Sequence, residues 1–385
     1  MRMPAWLFTL LAAAFVLYTD DYVIAGILPE LAADLGVTEG QAGQLVTMFS
    51  LTVALTAPVA AVVLAAVSRR RLFTTALPVF MAANLAAAAT DSFAVLTALR
   101  VAAALTAAAM TPALFAFTAR HAPAQKVGRY LAIVSLGVTG SISAGVPLGT
   151  WIGGVLGWRA TFATMAIAGA LVFLLVLSTL PRSEETDDTP RLADQFRILR
   201  RAPVSLGLMA NCLLMTGSMM MLTYLAPYLA ETTTVGIEER ALAFSLSGIA
   251  GIGGIWLGGI ATDRLGANRT LLIGIGTIVA TMIVLWVLWT ARPAPLPLVL
   301  VVATLWGGMA FWTSPAIQAR LHHLAGPVSG QALALNTSGT YLGVAIGAAV
   351  GGSILSTAGI GALPLTAAAF GIMAIISLAY TRAVP

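Results

Sequence analysis

The chain has 385 residues, of which 59% are hydrophobic and only 9% charged, whereas soluble domains carry roughly a quarter of charged residues. A lipid-spanning helix needs about 20 apolar residues, so about a dozen spans fill this length and leave no room for a second, soluble domain. The net charge of +5 and the pI of about 9.8 invite a nucleic-acid reading, but no basic run is interleaved with aromatics as a single-strand groove requires.

Apolar runs broken by charge or turn residues predict twelve spans, at 6–28, 42–67, 72–90, 93–118, 127–155, 159–181, 202–229, 240–262, 269–290, 295–319, 328–355 and 361–381. The expected fold is all-α and integral to the membrane. Asp20 and Asp21 interrupt the first apolar run and no A-x-A site follows, so that run is expected to stay in the protein rather than be cleaved as a signal peptide. Sixteen of the twenty basic residues, among them Arg2, Arg69, Arg70, Arg71, Arg120, Lys126, Arg129, Arg182, Arg191, Arg264, Arg269, Arg320 and Arg382, fall on the side of the termini. By the positive-inside rule that side is cytoplasmic. Arg159, Arg240 and Arg292 fall opposite, and Arg100 falls inside a span.

The longest connection, RSEETDDTPRLADQFRILRR at 182–201, divides the chain into a six-helix bundle at 1–181 and another at 202–385. Leu192, Phe196 and Leu199 recur at helical spacing beside Arg197, Arg200 and Arg201, which suits either a short helix on the inner leaflet or a plain flexible linker. An internal repeat supports the division. Pro29-Glu30-Leu31-Ala32 closes span 1 as Pro227-Tyr228-Leu229-Ala230 closes span 7, and the Gly128, Leu131, Ala132, Gly137 pattern returns at Gly330, Leu333, Ala334, Gly339. Two related bundles suit alternating access around a central site.

Asp20 and Asp21 carry the chemistry, because a mid-span carboxylate costs about 2.5–3.5 kcal/mol on insertion scales. Asp20 shares a helix face with Val16, Ile24 and Ile27, the more apolar stripe, so Asp21, on the face of Tyr18, is the expected cavity-facing acid. Counting about 1.5 Å per residue, Asp21 and Arg100 lie at one depth, which makes an ion pair possible. Two carboxylates and one guanidinium leave a single excess negative charge, which one proton cancels. A permanent ion pair that merely fixes helix packing is the alternative. The repeat sets Ser218 and Met219 opposite the two acids, so scaffold symmetry does not explain them.

Span 5 carries Gly145, Pro147, Gly149, Gly153 and Gly154, a pattern for close backbone approach and a bend. At the inner end of span 8, Asp263, Arg264, Gly266 and Arg269 form a charged turn, and an Asp263–arginine pair there would latch an inner gate in one state. Tyr18, Asn211, Met215, Met219, Tyr224, Trp312, Gln318, Asn336 and Tyr341 are the candidate substrate contacts, since Met-rich and aromatic linings adapt to varied apolar ligands. Trp6, Trp158, Trp286 and Trp289 lie near span ends and read as interfacial belts. Cys212 is the only cysteine, which excludes an internal disulfide and Cys-rich metal sites; His121, His322 and His323 are too scattered for zinc, and no P-loop pattern occurs. No metal or cofactor is expected.

Taken together, these residues resemble the major facilitator superfamily, and more narrowly its drug:proton antiporter branch of chloramphenicol- and arabinose-type exporters. TDDYVIAGILPELAADLGV in span 1, TDSFAVLTALRVAAAL at span 4 and GVPLGTWIGGVLGWRATF at spans 5 and 6 carry the resemblance across the chain. It implies Asp21, followed by Tyr22, as the proton-linked position, with Arg100 as the matching span 4 arginine. The antiporter motif of span 5 is met loosely at Gly145, Pro147, Gly149 and Gly154, with Val146 between glycine and proline. The gating motif is clear at Asp263, Arg264, Gly266 and Arg269 and reduced at Arg69, Arg70 and Arg71. The expected protein is a monomeric, proton-coupled exporter of a small amphipathic compound in a bacterial inner membrane. Its partners are that substrate, protons and lipid. Sugar or metabolite export is the second reading. An intramembrane enzyme lacks a nucleophile or metal cluster here, and a non-transporting sensor would bind a ligand without moving it.

Overall fold

A computed structural model of the chain describes residues 3–123, 126–181, 197–233 and 236–383. Its long helices are α1 (Ala5–Leu35), α2 (Glu39–Val63), α3 (Arg69–Ala89), α4 (Phe93–His121), α5 (Val127–Gly140), α6 (Val146–Leu156), α7 (Trp158–Thr179), α8 (Ala202–Thr223), α9 (Leu225–Thr233), α10 (Ile237–Leu265), α11 (Ala267–Thr290), α12 (Leu296–Ala325), α13 (Ser329–Thr357) and α14 (Ala362–Ala383). A π-helical turn, Ser141–Gly145, joins α5 to α6 into one span. Among the described residues twelve spans are long and apolar enough to cross a membrane, as the apolar runs predict. Leu192 and Phe196 lie outside the described residues, and Leu199 is exposed in a short 3-10 turn, Ile198–Arg200.

Local chemistry sets the ends of these helices. Thr38 opens α2 with a reciprocal cap, its hydroxyl accepting from the Gln41 amide at 3.1 Å while the Gln41 side chain accepts from the Thr38 amide at 2.9 Å. Span 1 runs seven residues past its expected end, through Pro29, and stops at Gly36, whose φ of 63° is readily adopted only without a side chain. Span 7, by contrast, breaks at Tyr224. Pro227 has no N–H for the carbonyl of residue 223, so the helix restarts as α9. The π turn stands just ahead of Pro147 for the same reason: it shifts the hydrogen-bond register where proline cannot donate.

Span 5 is pressed along α1. A Cβ on Gly145, Gly149 or Gly153 would meet Thr19, Val23 or Ile27 in turn, a four-residue step on both helices that brings the backbones together. Gly154 meets Ile237 of α10 instead. Thr161 of α7 donates to the Gly149 carbonyl at 2.9 Å and secures the seam from behind.

An even number of spans brings both ends of the described chain to one face, the terminal face, and the opposite one is the far face. At the far face the two halves meet. Glu30 of α1 accepts from Arg240 of α10 at 2.5 Å, with Arg240 buried. Gly40 of α2 abuts Gly352 of α13, and Gly43 leaves room for the ring of Tyr224, whose hydroxyl donates to the Ala348 carbonyl at 2.8 Å. Trp158 is an exception to the expected aromatic belt. It is buried, and its indole donates to Asp34 at 3.0 Å, while Arg159 pairs with Asp34 at 2.5 Å and also with Asp91. The tryptophan thus anchors a charged corner of α1, α4 and α7 instead of facing lipid.

A Cβ on Gly40 would stand 2.8 Å from the Gly352 carbonyl oxygen, and one on Gly352 2.8 Å from the Gly40 carbonyl oxygen, closer than a carbon can approach. In a Cys212→Ser background carrying Gln44→Cys, Gly40→Val should therefore hold the two halves apart at the far face and raise the rate at which a thiol reagent labels the introduced cysteine. An unchanged labelling rate would refute this far-face packing.

Candidate functional site

The site grows from the middle of α1. Consecutive helical residues point about 100° apart, so Asp20 and Asp21 cannot serve the same neighbour. Asp20 turns into the first half, where Arg100 of α4 donates from Nη1 to its Oδ2 at 2.8 Å and from Nη2 to its backbone carbonyl at 2.8 Å. Both side chains are buried, at 1% and 0% exposure. The guanidinium also lies 4.5 Å from the Phe49 ring centroid and 5.7 Å from that of Phe162, contacts that stabilise a desolvated cation. Asn84 of α3, buried, stands beside Asp20 with its amide donating to Phe80 at 3.1 Å.

Asp21 turns the other way. It is buried, at 2% exposure, and neither carboxylate oxygen has a hydrogen-bond partner among the described residues. Its surroundings are Tyr18 and Tyr22, whose rings lie 6.1 Å apart, and Tyr341 of α13, close enough to Tyr18 and Asp21 to be electrostatically coupled to both. Tyr341 belongs to the second half yet packs into the apolar cluster of the first. Asp21 therefore sits at a seam between the halves, whereas Asp20 and Arg100 sit inside one of them.

The other expected contacts scatter. Asn211 donates to Thr340 at 2.9 Å and Met215 packs on Gly343, so both join α8 to α13 within the second half. Met219 is buried on the same helix, and the buried Asn336 Oδ1 has no partner among the described residues. Three of them have other contacts in this state. Tyr224, fully buried at the far-face contact, seals rather than lines a cavity. Trp312 donates to the Thr270 carbonyl at 3.1 Å and packs against Gly258 and Gly274, between α10, α11 and α12. Gln318 is exposed and donates to Ser314 at 3.1 Å. Gly266, with φ 82°, makes the turn from α10 to α11, but Asp263 and Arg264 are exposed and make no ion pair among the described residues, so the expected latch is unmade in this state. Sequence reasoning used Tyr22 only as the motif neighbour of Asp21 and passed over Asn84 and the Glu30–Arg240 pair; a polar residue inside an apolar run was the available signal for Asn84. Among the described residues no His, Cys, Asp and Glu cluster fits a metal.

A family model for the Major Facilitator Superfamily matches residues 10–327. The chain belongs to that superfamily of membrane transporters. It is 31% identical over 371 residues to the uncharacterized MFS-type transporter YbcL of Bacillus subtilis, covering 96% of this chain and 94% of that protein. It is 32% identical over 275 residues to the chloramphenicol resistance protein of Streptomyces lividans, covering 71% and 70%. Among solved structures, a D-xylose–proton symporter superposes with a TM-score of 0.78 over 97% of this chain and 96% of that one at 15% identity, a likeness of fold.

Removing one partner of a buried ion pair costs about 3–5 kcal/mol, while replacing both with apolar groups can be nearly neutral. Arg100→Gln should therefore lower the unfolding free energy in detergent by an amount in that range, and Asp20→Leu with Arg100→Met should recover most of it. Equal losses in the single and double variants would show that the pair does not stabilise the first half.

Proposed function

We propose that this transporter is a proton-coupled exporter of small amphipathic compounds, a member of the drug:proton antiporter branch, acting as a single chain in a bacterial inner membrane. The observation that carries the reading is the charge imbalance at the seam: two adjacent buried carboxylates and one guanidinium, with Arg100 committed to Asp20 and Asp21 left without a hydrogen-bond partner. Asp21 is the proton carrier in this scheme. Arg100 tunes it from beside Asp20, to which it is hydrogen-bonded inside the first half.

The basic residues support a cytoplasmic terminal face. With the far face closed by Glu30–Arg240 and the glycine contacts, the state described is the inward-facing one. A charge change on Asp21 alters its interaction with Tyr341 across the seam, and by linkage the preference between states alters its proton affinity in return. Similarity to the chloramphenicol resistance protein and the aromatic lining of the seam by Tyr18, Tyr22 and Tyr341 favour an amphipathic drug-like substrate over a sugar.

Export measured in inverted vesicles with an imposed pH gradient tests the assignment. Asp21→Asn should abolish gradient-driven movement while leaving substrate exchange at equal pH within a few fold of the unaltered protein. Full pH-driven export by that variant would remove Asp21 from the coupling step, and transport of arabinose-type sugars with no binding of amphenicols would replace the substrate class.

A further inference from the structure

Glu39 opens α2 at the far face, immediately ahead of Gly40, which abuts Gly352 of the second half. It is half-buried, and among the described residues it makes neither an ion pair nor a side-chain hydrogen bond. Its charged neighbours already have partners. Glu30 of α1 accepts from Arg240 at 2.5 Å, and the Arg240 Nε also donates to the Gly236 carbonyl at 3.4 Å. Glu231 of α9 accepts from the Trp289 indole at 3.3 Å and lies 4.0 Å from Arg292. Glu30, Glu231 and Arg240 stand close enough to Glu39 to be electrostatically coupled to it, as does the Tyr224 hydroxyl. Of the other charges at this face, Asp34 and Asp91 pair with Arg159, Glu239 accepts from the Gly236 amide at 3.0 Å, and Glu238 is exposed on the first turn of α10. The far end of α13, from Gly351 to Thr357, carries no titratable side chain.

These neighbours divide by half. Glu30 and the N-terminus of α2 belong to the first half and face Glu39 in every state. Only Glu231, Arg240, Tyr224 and Gly352 come up to it when the far face closes and leave it when that face opens. Closure therefore sets the Glu39 charge against that of Glu231 and takes water from it, and both effects disfavour an ionised carboxylate. Arg240 opposes them, but its charge is offset by Glu30, to which it is bonded. A proton on Glu39 removes the repulsion across the seam and most of the desolvation cost. By linkage, what makes closure easier is in turn held more firmly by the closed state. We propose that Glu39 is a proton-binding group of the outer gate: a proton taken from the solution on the far side latches the two halves together there. Acid on that side then drives the open far face shut and returns the transporter to the state described above. None of these contacts involves Asp21, so the latch stands apart from the assignment of the proton carrier.

Spin labels on Ala33→Cys and Ala358→Cys in a Cys212→Ser background test it, since both positions are exposed, at the far ends of α1 and α13. Double electron–electron resonance in nanodiscs reads the gap between them. Going from about pH 8 to about pH 5, a range that spans the titration of a carboxylate held among like charges, should lower the long-distance population about fivefold. Glu39→Gln should keep the short distance dominant at both pH values, and Glu238→Gln, an exposed acid of the same face, should leave the response intact. An undiminished response in Glu39→Gln, or none in the unaltered protein, overturns the inference. The same comparison in Asp21→Asn separates the latch from the transport scheme. A response that persists there supports Glu39 whatever becomes of Asp21, whereas one lost there and retained in Glu39→Gln assigns the pH sensing to Asp21 and overturns the inference.

Discussion

Burying two neighbouring carboxylates with a single guanidinium is the constraint on which this molecule turns. Each charge is costly at mid-membrane depth, and the Asp20–Arg100 pair lowers that cost chiefly for the two groups it joins. The fixed right-handed twist of α1 forbids Asp21 from sharing the same partner. What remains is an acid that must either find a cation elsewhere, carry a proton, or sit beside polarisable hydroxyls. The surroundings supply Tyr18, Tyr22 and Tyr341 and, among the described residues, no cation besides the one already committed to Asp20.

The scaffold around α1 explains why that acid can be placed so exactly at a seam between halves without being fixed to both. Thr19, Val23 and Ile27 fit the glycines of span 5, so α1 moves with the first half. Across the seam the contacts are of a different kind. Gly40 against Gly352 and Gly43 around Tyr224 bring surfaces close, but lipid tails are as apolar as leucine, so separating such surfaces carries no hydrophobic penalty. The Glu30–Arg240 pair is the one charged link described there, and Glu30 retains 26% exposure. A tight intra-half seam and a loosely held inter-half seam are what a rocking motion requires.

Much of this was legible in the residues and some was not, for reasons that can be named. Twelve spans could be read because lipid demands unbroken apolar runs, and proline or glycine punctuates them. Helix ends were less legible: Pro29 was overridden by the packing of Leu31 and Ala32, both buried, whereas Pro227 did break its helix. Two acids and an arginine at one depth were visible from spacing alone. Which acid meets Arg100 was not, since it depends on where α2, α4 and α7 stand around α1. Tyr224, Trp312 and Trp158 were hard to place for the same reason, because an aromatic in an apolar run gives no hint of whether it meets ligand, lipid or another helix. The Glu30–Arg240 contact spans 210 positions and has no local signature.

In the proposed proton-coupled scheme, the weakness of the inter-half contacts also decides how much work a proton has to do. A tenfold difference in proton affinity between two conformations is worth about 1.4 kcal/mol, and inverting a population from 1:99 to 99:1 takes about 5.5 kcal/mol. One carboxylate would need a difference of roughly four powers of ten to achieve that alone. If the two states lie near balance, as weak glycine contacts and one partly exposed ion pair imply, a difference of about a hundredfold already biases them usefully. Stronger far-face packing would therefore not improve the transporter. It would push the equilibrium beyond the reach of the single charge that Asp21 gains or loses in the proposed scheme.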